Sequence, residues 1–93
     1  SEAVGDPLWE LPLWKNYISL LKSQHADISN ISSGPFGGAI TAALFLEEFV
    51  SKNIPWIHID MMAWTNGNSF CSYQGGEAMG IRALSHFLKE ISK

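Results

Sequence analysis

The most apolar segment of the chain spans residues 37–50 and reads GGAITAALFLEEFV. Charge appears in it only at Glu47 and Glu48. The segment is too long for an average strand, and its Ala and Leu content favours a helix. A helix that is apolar around most of its circumference is buried on most sides. The segment therefore predicts a buried helix over 38–50, which begins after the glycine pair.

Two apolar stripes outside this segment predict further helices. The first consists of Trp14, Tyr17, Ile18 and Leu21, at the i, i+3, i+4, i+7 spacing of one helix face. Pro12 suits a first helical turn because its missing N–H has no partner there, so we expect a helix over 12–23. The second stripe consists of Leu84, Phe87, Leu88 and Ile91. It predicts a helix from about residue 77 to the end of the sequence.

The remaining segments predict strands and loops. Residues 56–62, WIHIDMM, are apolar on both faces, as in a covered central strand. Residues 25–31 alternate loosely and fit either a short strand or an extended loop. Residues 65–76 hold three Gly and two Asn and predict a loop. The order indicates an α/β class, with about three helices alternating with two strands, as a portion of a larger helix-covered sheet.

Composition limits the possible functions. Ninety-three residues allow at most one domain. Apolar residues make up 46% and charged residues 16%, which excludes a disordered chain. The net charge of −3 argues against a nucleic-acid or anionic-membrane partner, which needs a clustered positive field. No apolar run approaches the roughly 20 residues of a membrane span.

The single cysteine and the first residues suggest a compartment. Cys71 cannot form an internal disulfide, which favours a reducing, cytoplasmic location. Ser1-Glu2-Ala3 has neither the basic start nor the apolar core of a signal peptide, so we expect none. Because the sequence begins with Ser1 rather than Met, we also expect either a processed chain or a piece of a longer one.

Two histidine–aspartate pairs are the candidates for metal chemistry. His58 and Asp60 would share one face of a strand, and His25 and Asp27 have the same spacing. His58 and Asp60 could bind a metal, act as a His–Asp relay or form hydrogen bonds within the fold. The two pairs together could supply four ligands. Because a metal site needs three or four protein ligands, the structural interpretation is favoured for each pair.

Other polar residues carry weaker signals. Cys71 has no activating base nearby in sequence and predicts an ordinary free thiol. The glycines in GPFGG, residues 34–38, resemble a phosphate-binding turn only in outline and favour a turn role. Arg82 could bind a carboxylate or pair within the fold. His86 lies off the apolar stripe and is expected to be solvated.

Five strings, in order along the chain, resemble the leucyl aminopeptidase (cytosol aminopeptidase) family. Residues 5–14, GDPLWELPLW, look like the family's DPxWRLPLW, and residues 26–30, ADISN, are similar to its ADIxN. Residues 38–50 resemble GAITAAxFLxxFV, and residues 55–60, PWIHID, resemble xWAHLDI. Residues 76–84 are like GAxGxGVRxL, with Arg82 on the family's Arg. The resemblance covers residues 5 to about 90.

The resemblance implies a position and an activity. It places residues 1–93 at the C-terminal end of the catalytic domain of a longer peptidase, without a complete domain of their own. The family removes N-terminal residues from peptides with two divalent metal ions, zinc or manganese, and assembles as a hexamer. Its metal-binding and catalytic residues occur in upstream motifs, and none of those motifs is present here. The resemblance therefore assigns no catalytic residue and no metal ligand to this chain.

One contribution to substrate binding follows from the same resemblance. Residues just after the family's HLD string help to form the wall of the pocket for the first substrate side chain. Met61, Met62 and Ala63 occupy this place, although the segment is two residues shorter than the family's DIAGxAW. Met suits an adaptable apolar pocket, while plain packing at a strand end is the alternative.

Two functional hypotheses follow. The first is an inactive C-terminal fragment of a metal-dependent aminopeptidase, with a peptide substrate, homo-oligomeric assembly and a cytoplasmic location for the parent. The second is a non-enzymatic α/β module that binds a protein partner through its apolar surface.

Overall fold

The computed structural model of the chain describes residues 1–67 and 73–93. These residues form two compact units. The middle unit is Glu10–His58, and the terminal unit combines Ser1–Trp9 with Ile59–Lys93. The predicted α/β class is confirmed, since helices and a two-stranded antiparallel sheet are both present.

The middle unit contains a 3-10 helix at Lys15–Leu21 and the α-helix α1 at Gly38–Glu47, which pack against each other. The 3-10 helix lies inside the predicted range of 12–23 but begins later, because Trp14 is still extended. Its i, i+3 periodicity brings the rings of Trp14 and Tyr17 to a centroid distance of 4.8 Å. The core of this unit consists of Leu21, Thr41, Ala43 and Leu44.

The predicted helix over 38–50 is confirmed as an α-helix, but it ends at Glu47, three residues earlier than predicted. Residues 48–50 continue as single i→i+3 turns rather than as helix. Gly37 precedes the helix with a φ of +69°, and a Cβ at this position would lie 3.1 Å from the Tyr17 ring. The positive φ and the lack of room for a side chain support the turn interpretation of the glycines. The helix buries Thr41, Ala43 and Leu44, while Leu46 on it is 43% exposed.

Residues 25–31 form bends, so the loop alternative applies to them. The turn begins at Ser23, whose Oγ accepts hydrogen bonds from the backbone N–H groups of His25 and Ala26. A side-chain oxygen that satisfies two backbone donors favours a local turn over a strand ladder.

The terminal unit contains a 3-10 helix at Glu2–Val4, strands β1 at Trp64–Thr65 and β2 at Gly75–Gly76, and helix α2 at Ile81–Ile91. The strands pair antiparallel, Trp64 with Gly76 and Thr65 with Gly75. Strand β2 forms the end of the segment that we predicted as a loop, 65–76, and β1 overlaps only its first residue, Thr65. Helix α2 begins later than residue 77 because Gly80, with a φ of +77°, is its left-handed N-cap.

The prediction of a central strand over 56–62 was wrong. This segment is neither helix nor strand, and Ile57 and Met62 are 62% and 68% exposed. A central strand needs a hydrogen-bonded neighbour and a layer over each face. In the part of the chain that the structure describes, the two strands pair only with each other.

Candidate functional site

The candidate substrate segment, Met61–Ala63, leads directly into β1. The backbone N–H of Glu77 donates a hydrogen bond to the carbonyl of Ala63 at 2.9 Å. Together with the pairing of β1 and β2, this bond ties the segment to residues 75–80, which precede α2. The local fold therefore sets the candidate segment beside the start of α2.

Met61 lies beside that start. Its methyl carbon is 4.0 Å from the point that a Cβ on Gly80 would occupy, and Leu8 and Ile59 lie at 3.6 and 3.8 Å from the same point. Ile59 and Met61 are two residues apart and border the same space, as expected for side chains on one face of an extended segment. Part of Met61 remains open, since the residue is 43% exposed.

Met62 and Ala63 have different environments. Met62 is 68% exposed. Ala63 has a φ of +53°, and it is the single non-glycine residue with positive φ among the described residues. The left-handed conformation costs an L-residue about 1–2 kcal/mol. Such a residue turns the chain sharply, and here the turn separates the two methionines from β1.

Asp6 is a buried carboxylate that the sequence analysis missed. The residue is 6% exposed. Its Oδ1 accepts a hydrogen bond from the backbone N–H of Gly80 at 3.1 Å, and its Oδ2 accepts one from the N–H of Ala83 at 3.0 Å. Asp6 therefore caps α2 across 74 residues of sequence.

These hydrogen bonds lower the pKa of Asp6. The largest cause is the backbone N–H of Ala83, followed by that of Gly80. Burial opposes the shift by raising the pKa, and the charge of Arg82 assists it. Donors that point at a carboxylate favour its ionised form. Asp6 is consequently an anion at neutral pH, which suits the positive end of the helix dipole.

Arg82 supports the same junction. Its Nη2 donates a hydrogen bond to the carbonyl of Gly5 at 3.0 Å. Arg82 therefore pairs within the fold, and its direct acceptor is a backbone oxygen. Gly5 and Asp6 are thus both attached to the first turn of α2.

The residues described do not fit a metal centre. Across residues 1–67 and 73–93, no group of three or more His, Cys, Asp or Glu could hold a metal ion. His25, Asp27 and Asp60 are exposed, and His58 is half-buried. Cys71, predicted as a free thiol, lies outside the described residues. His86 is exposed, as predicted.

Helix α2 presents an open apolar groove. It is lined by Ile81, Leu84, Ser85, Leu88, Lys89 and Ser92. Phe87, Leu88 and Ile91 are 50–61% exposed, which leaves much of the predicted stripe uncovered in this chain. A helix with one apolar face is stabilised by covering that face.

The comparison with known proteins identifies the family. Residues 1–85 match the family described as the cytosol aminopeptidase family, catalytic domain. The chain therefore belongs to the cytosol aminopeptidase family.

Similar proteins agree with this assignment. A probable cytosol aminopeptidase of Prochlorococcus marinus subsp. pastoris is 46% identical over 92 residues, which are 96% of this chain and 18% of the relative. A probable cytosol aminopeptidase of Geobacter sulfurreducens is 43% identical over 90 residues, 95% of this chain and 18% of the relative. The crystal structure of cytosol aminopeptidase from Coxiella burnetii superposes with a TM-score of 0.88 at 49% identity, covering 95% of this chain and 19% of that one.

The chain thus spans less than a fifth of the length of these relatives. No helix among the described residues has both the length and the apolar character needed to cross a bilayer. The resemblance stated from the five strings is confirmed at the level of the family.

Proposed function

We propose that the chain is the C-terminal part of a metal-dependent, leucyl-type aminopeptidase that removes N-terminal residues from peptides. The observation that carries the proposal is the family match over residues 1–85, together with a coverage of 18% in the relatives. The described residues do not offer a ligand set for two metal ions. We therefore assign the two divalent cations, zinc or manganese, and the catalytic groups to the part of the parent outside these 93 residues.

The contribution of this segment is the proposed wall of the substrate pocket, formed by Met61, Met62 and Ala63. Met62 offers an exposed, flexible thioether chain. The fixed backbone turn at Ala63 holds the direction of the segment. The methyl group of Met61 lies toward Gly80, 4.0 Å from the point that a Cβ there would occupy. Adaptable apolar side chains on a fixed backbone suit a site that accepts several apolar substrate residues.

The proposal includes two properties of the parent. The relatives are named cytosol aminopeptidases, and we extend this location to the parent. We also propose that the parent is a homo-oligomer, a hexamer by resemblance to the family. The open apolar face of α2 is available for contact with the rest of the catalytic domain or with a neighbouring subunit.

The experiment is to sequence the DNA upstream of the codon for Ser1. We expect one continuous reading frame that contains the metal-ligand and catalytic motifs of the family. A start codon immediately before Ser1 would contradict the proposal and would favour the non-enzymatic interaction module.

A further inference from the structure

We propose that Asp6 is a positioning residue for substrate selection, because it fixes the start of α2 beside which Met61 lies. The inference rests on the proposed function, in which Met61–Ala63 border the substrate. It concerns a residue that precedes the segment by more than fifty positions and that touches no substrate itself.

Asp6 caps the N-terminus of α2. Gly80 has no side chain, so the N-cap position of α2 cannot supply the usual capping oxygen itself. The first N–H groups of a helix have no partner within the helix. Both oxygens of Asp6 meet this need, one at Gly80 and one at Ala83. The carboxylate thus fixes the helix start at two points one turn apart.

Gly80 connects the capped helix start with the candidate substrate segment, Met61–Ala63. Gly80 is buried and left-handed, and the side chains of Leu8, Ile59 and Met61 lie 3.6–4.0 Å from the point that a Cβ on Gly80 would occupy. A shift of the helix start therefore changes the space that Met61 borders. On this basis the placement of Met61 depends on the two hydrogen bonds that Asp6 accepts.

The segment that carries Asp6 is also bonded to α2 through a side chain of the helix. Arg82, in the first turn of α2, donates to the carbonyl of Gly5. The peptide that carries Asp6 is thereby attached to α2 through a side chain as well as through the cap. The arrangement leaves Asp6 little freedom to follow an altered helix start.

The test uses the parent enzyme expressed from its full reading frame. The variants are Asp6→Ala, which removes both acceptors, and Asp6→Asn, which keeps the shape and one acceptor. The control is Asp27→Ala, an exposed carboxylate of the middle unit. We measure kcat and KM for leucine amide and for alanine amide, and we compare the two substrates by the ratio of their kcat/KM values.

We expect Asp6→Ala to reduce the preference for leucine over alanine by about tenfold, mainly through KM for leucine amide, since a misplacement of about 1 Å can cost up to about a hundredfold. Asp6→Asn should restore part of the preference, and Asp27→Ala should leave it unchanged. A merely structural role would lower kcat/KM for both substrates equally. If Asp6→Ala does not fold, Asp6→Asn is the test variant. It should then reduce the preference for leucine over alanine by a smaller factor.

The inference is overturned if the folded Asp6 variants retain the leucine preference of the unmodified enzyme. Met62→Ala separates this failure from failure of the proposed function. If Met62→Ala changes the preference while the Asp6 variants do not, the segment contacts substrate and the positioning role is wrong. If neither substitution changes it, the assignment of Met61–Ala63 to the pocket is wrong as well.

Discussion

Leu44 is the side chain on which the middle unit depends most. It has 0% exposure and lies on α1, which packs against the 3-10 helix Lys15–Leu21. Leu44→Ala removes three carbon atoms, which corresponds to about 2.4 kcal/mol of transfer free energy at about 0.8 kcal/mol for each carbon. The cavity left behind raises the loss, and buried Leu→Ala substitutions cost about 2–5 kcal/mol in total. We expect a loss of about 3–4 kcal/mol in the free energy of unfolding.

Leu46→Ala on the same helix is the matched control. The same atoms are removed, but Leu46 is 43% exposed, so only the buried part contributes and water fills the space. We expect a cost of about 1–1.5 kcal/mol. The assay is urea unfolding of the 93-residue chain at low concentration, followed by tryptophan fluorescence, to which the middle unit contributes Trp14 and Trp56. Equal losses for the two variants, or a larger loss for Leu46→Ala, would refute the assignment of Leu44 to the core.

Two further predictions concern the terminal unit. Because the folded-state pKa of Asp6 lies below its ordinary value of 3.8, its stabilising contribution is present above that value and is lost as the pH falls through the lower folded-state pKa. The midpoint temperature of thermal unfolding should therefore fall with pH in the acid range, and it should fall less in Asp6→Asn. An equal fall in that variant would exclude Asp6 as the source of the pH dependence. The exposed stripe of α2 should bind a hydrophobic dye or drive self-association at micromolar concentration. Leu88→Glu should reduce both effects and His86→Glu should not, whereas a compact, dye-silent monomer would show that the chain covers its own apolar surface.

The helices were predictable because their signal is local. The apolar content of residues 38–47 and the spacing of Trp14, Tyr17, Ile18 and Leu21 both act over one or two helical turns. The family was predictable because five strings match in order along the chain. Helix type and helix ends were less predictable, since an extended Trp14 and a left-handed Gly80 moved two of the starts.

The strands depended on partners that local sequence does not specify. Residues 56–62 have the composition of a central strand, but no described strand of this chain lies beside them. The glycine pair Gly75-Gly76 has the composition of a loop, and yet it pairs with Trp64 and Thr65. In both cases tertiary pairing outweighs the intrinsic preference.

The assignment of Met61–Ala63 to the site stays a prediction from the resemblance. The cap formed by Asp6 could not be predicted, because it depends on two hydrogen bonds that span 74 and 77 residues. Gly80, the N-cap that the structure shows, has no capping side chain, and the sequence does not identify the residue that supplies the acceptor.

Hydrolysis of leucine amide tests the central claim most directly. The measurement compares the protein expressed from the full upstream reading frame with the isolated 93 residues, each with added zinc or manganese and each after treatment with a chelator. We predict turnover by the full protein that the chelator abolishes, and no turnover by the isolated chain under any condition. Metal-dependent turnover that follows the 93-residue polypeptide through purification would contradict the account, as would a full protein without any peptidase activity.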